Sequence, residues 1–149
     1  MAQKYIKYVP KPKAMKRISK VHIALYKATG GMLGKRVDGL DILLLTTRGR
    51  KTGLERTVPL PYFTDGSRYL LMGSNGGGEK NPAWVHNARA TPEVDIQVGA
   101  RRMRARASVA EGEEYDRLWK HVTADHPRYD RYASWTERKI PIVVLEVLN

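Results

Sequence analysis

Two hydrophobic periods alternate along this chain, and the switches between them predict four helices and six strands. Met15, Ile18, Val21, Leu25 and Ala28 recur at spacings of three and four, which predicts an amphipathic helix over residues 14–28, stopped by Thr29-Gly30-Gly31. An almost continuous apolar run predicts a strand buried in a sheet at 40–47. Residues 56–64 and 68–74 form a hairpin about Asp65-Gly66-Ser67. A glycine-rich loop over 73–82 leads into a short helix at 83–89, with Pro82 suited to its first turn. Strict alternation of Val94, Ile96 and Val98 with Glu93, Asp95 and Gln97 predicts a strand at 93–98, paired through Gly99 with 101–110. Helices at 111–124 and 127–136 precede an apolar closing strand at 140–147. The fold class is α+β: about six mostly antiparallel short strands closing into a small barrel, with helices at the periphery. Residues 1–13, which carry Pro10 and Pro12, read as an N-terminal arm and residues 14–149 as a single domain.

Charge adds a detail the periodicity does not carry. The net charge is +12, and residues 1–36 hold ten Lys or Arg with no Asp or Glu. Through residue 56 the count is fourteen basic against three acidic, while the other 93 residues are close to neutral. The basic surplus therefore belongs to one arm, one helix and one turn. The helix at 14–28 admits two roles, a face packed on its own domain, which is the expectation, or a face laid on an anionic membrane. With no cysteine, the chain has no disulfide, thiol nucleophile or iron–sulfur site. The four histidines (22, 86, 121, 126) lack metal-ligand spacing, so no metal is expected. No apolar stretch approaches the roughly eighteen residues of a membrane span, and no signal peptide is visible; a cytoplasmic location follows, at most at the inner face of the membrane.

Three segments carry candidate chemistry. Strand 40–47 runs into Arg48-Gly-Arg-Lys-Thr-Gly53 and on to Arg56. Cations beside exposed backbone N–H groups on a glycine turn suit an anion such as phosphate, and a solvated, charged hairpin is the other reading. The loop 73–81, with glycines at 76, 77 and 78, suits close backbone approach to a ligand, or a plain connector. Tyr129, Tyr132 and Trp135 lie three residues apart on one helical face, a pattern shared by core stripes and binding sites.

Taken in order, Thr46-Thr47, Gly49-Arg-Lys-Thr-Gly53, Arg56 and Pro59-Leu60, then Gly73-Ser74, Gly76-Gly77, Lys80-Asn-Pro82, Trp84 and Asn87, then Tyr129, Tyr132, Trp135-Thr136, Arg138 and Ile140-Pro141, this sequence resembles the deazaflavin-dependent nitroreductases, a family of split-barrel reductases that use coenzyme F420. The resemblance covers residues 14–149. It implies hydride transfer from reduced coenzyme F420 to an electron-poor small molecule: a quinone, an activated enone or a nitroaromatic. By position it places phosphate at Arg50, Lys51 and Thr52, with Arg56 nearby. Thr57, Val58, Pro59, Leu60 and Pro61 would line the ring and its ribityl chain, met by Met72, Gly73, Ser74 and Asn75. Ala83, Trp84, Val85, His86 and Asn87 would close the other side, and Tyr129 would border ring and substrate. Ser74, Tyr129 and Tyr132 are the candidate proton donors or substrate contacts, with His126 on the substrate side. Pro61, Asn75 and His86 depart from the family pattern. An FMN-dependent split-barrel reductase and a basic nucleic-acid-binding module are the alternatives. No recognised nucleic-acid motif accompanies the basic arm.

Overall fold

A computed structural model describes residues 12–149. The elements are α1 (Pro12–Thr29), β1 (Arg36–Val37), β2 (Leu40–Arg48), β3 (Glu55–Pro61), β4 (Phe63–Asp65), β5 (Arg68–Met72), α2 (Ala83–Ala90), β6 (Glu93–Val98), β7 (Arg101–Val109), α3 (Gly112–Thr123), α4 (Arg128–Ser134) and β8 (Ile142–Val147). Helix α1 already includes Pro12 and Lys13, and the rest of the expected arm lies outside the described residues.

All strand pairs are antiparallel, in the order β1-β2-β6-β7-β8-β5-β4, with β3 also paired to β2. Strands β3 and β4 are one run of chain that changes partner at Tyr62. Before it, Pro61 opposes Ile42 of β2; after it, Phe63 opposes Leu70 of β5. The run thus joins the two ends of the sheet and curls it into a half-barrel. Prolines 59 and 61 have no N–H to donate, which confines β3 to an edge and ends its ladder there. This change of partner and the two-residue β1 explain eight strands where the periodicity predicted six.

Strand β2 is buried on both faces. Leu43 and Leu45 point into the barrel with Leu71, Val94, Ala105, Val143 and Leu145, while Ile42 and Leu44 pack under Tyr26 and Ile23 of α1. A second core joins Leu70, Met72, Ile142 and Val144 to Leu118 and Val122 of α3 and Tyr129 of α4.

Helix α1 reverses one expectation. Its apolar stripe faces outward: Ile18, Val21 and Leu25 are 64%, 59% and 44% exposed. The neighbouring stripe is the buried one. The Tyr26 hydroxyl lies 3.0 Å from the Ile42 carbonyl and 3.2 Å from that of Gln97, and accepts the Gly99 N–H at 2.7 Å. His22 Nε2 donates to the Gly34 carbonyl at 2.6 Å. A buried ring whose hydroxyl is satisfied three ways outweighs the exposure of three aliphatic side chains.

Candidate functional site

The basic turn between β2 and β3 is a closed loop. The Gly49 N–H donates to the Leu54 carbonyl at 2.8 Å and the Gly53 N–H to the Gly49 carbonyl at 2.7 Å. Gly53 sits at φ +71°, where a side chain is disfavoured. Thr52 Oγ accepts the Leu54 N–H at 3.2 Å, so this side chain shapes the turn while remaining exposed. A second tie comes from α2: buried Asn87 accepts the Arg50 N–H at Oδ1 (3.1 Å) and donates from Nδ2 to Thr47 Oγ (3.3 Å). Asn87 therefore fixes the turn to the helix rather than presenting itself outward. Among the described residues Arg50, Lys51 and Arg56 are exposed and form no ion pair. His86 adjoins them; partial burial, then the charges of Arg50 and Arg89, push its imidazole pKa down and favour the neutral ring.

Strand β3 leads from this turn to a cleft of about 390 Å³. Val58, Pro59, Leu60 and Pro61 form one wall, and Met72, Ser74 and Asn75 a second. Trp84 stands on the α2 side, Tyr129 and Tyr132 on the α4 side. Three segments far apart in sequence thus meet at one opening. Tyr129 is almost wholly buried against Phe63 and Tyr132, and among the described residues its hydroxyl forms no hydrogen bond. Burial pushes its pKa up to about 12, and the phenol stays protonated across the neutral range.

Some expected residues stand elsewhere. Thr57 turns to the opposite face of β3, with its Oγ 2.8 Å from Thr46 Oγ. Val85 is fully buried in the barrel core, so its side chain packs rather than faces the cleft. Gly73 is buried at the end of β5, donating to the Pro141 carbonyl at 2.8 Å. Ala83 is exposed at the start of α2 and is not among the cleft's lining residues. His126 packs against Phe63 with the rings tilted by 49° and their centroids 4.7 Å apart, and lines a neighbouring cavity with Tyr62 and Asp41.

The family model for F420H2-dependent quinone reductase matches residues 18–147. This chain belongs to the F420H2-dependent quinone reductase family. An F420H2-dependent quinone reductase of Mycobacterium tuberculosis is 41% identical over 133 residues, spanning 87% of this chain and 89% of that protein. Among solved structures, an F420-H2 dependent reductase superposes with a TM-score of 0.64 at 37% identity, covering 70% of this chain and 93% of that one. A chain described as a domain-swapped dimer superposes at 0.68 with 33% identity, covering 91% and 100%. The haem storage protein HutZ of Vibrio cholerae, at 15% identity and a TM-score of 0.54, shares the fold alone.

Ser19, Leu40 and Arg128, which the sequence reading did not single out, complete the cleft's lining together with Gly76 and Pro82 of the glycine-rich loop. Arg128 is tied to Asp38 by a 3.1 Å ion pair. Ser19 became visible only once α1 was seen to bury the stripe next to its apolar one. Arg138, part of the third motif but without a role, fastens loop 73–81. Its guanidinium donates to the carbonyls of Gly73 (3.1 Å), Ser74 (2.9 Å) and Gly78 (3.0 Å), and to Asn81 Oδ1 (2.6 Å).

Proposed function

We propose that this chain is an F420H2-dependent quinone reductase that holds the deazaflavin cofactor from the basic turn to the cleft and receives the quinone there. The observation that carries the reading is the path itself. Unpaired cations stand at one end of β3, and a largely apolar cleft with a few polar groups stands at the other. That donor set fits a ring system bearing an anionic tail. Arg50, Lys51 and Arg56, with the N–H groups of the turn, suit phosphate and carboxylates. Val58, Leu60, Met72 and Trp84 suit the ring, with Ser74 and Asn75 at its polar edge. Bound there, reduced F420 supplies a hydride to the acceptor.

The protein's own part is to position the two partners, exclude water and donate hydrogen bonds. With its pKa near 12, Tyr129 is a poor proton source at neutral pH and a good fixed donor toward an acceptor carbonyl. Tyr132, packed edge-on to it with centroids 5.7 Å apart, borders the same space. Thr57, Val85 and Asn87 support the wall from behind.

The exposed stripe of α1 extends this reading to the source of the acceptor. Ile18, Val21 and Leu25 face outward among exposed Arg17, Lys20 and Lys27, and Ser19 of the same helix lines the cleft. Such a face suits an anionic lipid surface holding an apolar quinone. Among the described residues no helix is long and apolar enough to cross a membrane.

Titration with F420 and with FMN, followed by oxidation of reduced F420 against menadione, a cyclic enone and a nitroimidazole, tests the main claim. Micromolar F420 binding with menadione as the best acceptor is expected, and failure to bind F420 overturns it. Because Tyr26 anchors α1 in the core, the membrane claim is better tested by replacing Ile18, Val21 and Leu25 with serine than by deletion. Loss of sedimentation with phosphatidylglycerol vesicles, with menadione turnover intact, is expected; undiminished sedimentation refutes it.

A further inference from the structure

Arg128 carries a charge whose place the stability of the fold does not explain. It is the first residue of α4, the end of a helix that disfavours a cation. Its ion pair with Asp38 is a surface pair of small worth, the carboxylate 79% exposed and the arginine side chain 27%. Yet the guanidinium is held at two points. One nitrogen donates to Asp38 Oδ2 at 3.1 Å and the other to the Asp38 carbonyl at 3.3 Å, between residues 90 positions apart.

The holder is built for the purpose. Val37 of β1 opposes Leu40 of β2, and between them Asp38 and Gly39 sit at φ +54° and +76°, the paired positive values of a two-residue hairpin turn. Arg36 braces the turn, with an N–H to the Gly39 carbonyl at 3.3 Å and an ion pair to Asp41 at 3.4 Å. Both residues of β1 are exposed, so the strand adds no core; what it adds is a fixed Asp38.

Among the described residues that line the cleft, Arg128 alone carries a charge. Leu40, just past the turn, and Tyr129, just past the arginine, line the same space. Burial raises the Tyr129 pKa and the charge of Arg128 pulls against it, so the arginine's field reaches that hydroxyl. Water screens the exposed Asp38 carboxylate, whereas Val58, Leu60, Met72 and Trp84 leave the field little screened on the cleft side. Two of the five guanidinium N–H groups are spent on Asp38, and among the described residues the others make no hydrogen bond.

We propose that Arg128, clamped from outside by Asp38, is the cation that takes up the negative charge left on the reduced acceptor, and that the cleft therefore prefers quinones whose ring oxygen already carries charge. The inference rests on the quinone-reductase reading of the cleft. The acceptor gains one hydride with both electrons of the C–H bond broken on reduced F420, which is thereby oxidised. One negative charge is left on a quinone oxygen, and a solvent proton completes the quinol. A cation fixed beforehand at the cleft wall binds that charged product more tightly than the neutral quinone. Asp38 is a positioning residue, since it touches the arginine and not the acceptor.

The test needs no cofactor. 2-Hydroxy-1,4-naphthoquinone, an anion at neutral pH, and menadione, its neutral near-isostere, are titrated calorimetrically into the native chain and its variants. The native chain should bind the anion about tenfold more tightly. In Arg128→Met that preference should vanish, with menadione affinity within twofold of native. Asp38→Gly tolerates the positive φ but frees the guanidinium, and should lose most of the preference; Asp38→Asn still offers an oxygen and should retain it. This pair decides the matter if Arg128→Met does not fold. In the F420-loaded enzyme, Arg128→Met should lower menadione kcat about tenfold with KM within twofold, because the charge appears only as the hydride moves. The proposal is overturned if the native chain does not prefer the anion, if Arg128→Met keeps the preference, or if Asp38→Asn loses as much as Asp38→Gly. An anion affinity that falls in Arg50→Ala and not in Arg128→Met places the anion at the basic turn and also overturns it. Absence of F420 binding or of menadione turnover in the native chain instead overturns the functional reading, which the cofactor-free titration does not use.

Discussion

Replacing Asn87 by alanine separates the structural role of the basic turn from its binding role. The substitution deletes the bond from the Arg50 N–H to Oδ1 and the bond from Nδ2 to Thr47 Oγ, at 3.1 and 3.3 Å. At about 1 kcal/mol for each bond, the loss is about 2 kcal/mol. Water can replace the partner of the Arg50 N–H at the exposed turn. It cannot easily reach Thr47, which is only 3% exposed, so roughly 1 kcal/mol of desolvation is added. A domain of this size loses about 2–4 °C in Tm per kcal/mol, which gives a fall of roughly 6–12 °C in thermal unfolding. Cofactor affinity should fall with it. Arg50 and Lys51 keep their charge but lose the fixed position that turns charge into a bidentate contact, and a tenfold rise in the F420 Kd, about 1.4 kcal/mol, is expected from fluorescence titration. The double substitution Asn87→Ala with Arg50→Ala should cost less than the sum of the singles, because both act through one contact. A lowered Tm with an F420 Kd unchanged within twofold would refute the assignment of this turn to the cofactor.

Three more outcomes follow from single groups. Tyr129→Phe removes a hydroxyl that forms no hydrogen bond among the described residues, so stability should change by no more than about 0.5 kcal/mol, while menadione kcat/KM falls about tenfold at unchanged F420 Kd; an unchanged kcat/KM removes Tyr129 from the site. Tyr26→Phe orphans the Gly99 N–H and two carbonyl contacts, and should cost about 2–3 kcal/mol in denaturant unfolding with kcat untouched. His86, held below its ordinary pKa, is neutral in the folded chain at pH values where the unfolded chain already binds a proton, so it subtracts stability as pH falls through about 6.5 and below. An anion at the turn favours the charged ring, so F420 affinity should strengthen over the same descent, and His86→Gln should flatten that slope; an identical slope in the variant removes His86 from the anion site.

What sequence could and could not show divides along physical lines. Alternation found β6 and β7 to the residue at β6, because one face of that hairpin is buried and period two is rigid. The turn at Arg48–Gly53 announced itself through glycine spacing and charge, both local properties. The cleft was accessible only through the combined motifs, since β3, loop 73–81 and α4 meet by long-range packing that no window contains. Arg138 escaped for a related reason. An arginine four residues before β8, even within the third motif, gives no hint that its fork will close on carbonyls some sixty positions earlier. Tyr62 escaped too, because the period of the run 56–64 continues through it while its hydrogen-bonding partner changes.

The misread stripe of α1 is the more instructive case, because periodicity reports that an apolar face exists and not what covers it. Sliding two adjacent helical stripes past one another costs the sequence nothing in pattern, and the choice fell to one hydroxyl, that of Tyr26. The apolar face left over is half-exposed, so burying what remains of Ile18, Val21 and Leu25 in a lipid interface is worth about 1–1.5 kcal/mol for each side chain, or roughly 3–4.5 kcal/mol together. Alone that gives weak, transient binding. Arg17, Lys20 and Lys27 near an anionic surface add about 1 kcal/mol each at physiological salt. Apolar and electrostatic contributions are then of similar size, and neither suffices without the other. Attachment should therefore require anionic lipid, disappear in phosphatidylcholine vesicles, and weaken progressively as added salt shortens the Debye length from about 8 Å at physiological ionic strength to about 3 Å at about 1 M. On the proposed membrane reading, an enzyme held this loosely, with Ser19 of the same helix on its cleft wall, would take an apolar acceptor from the lipid and release a more polar product without being committed to either phase.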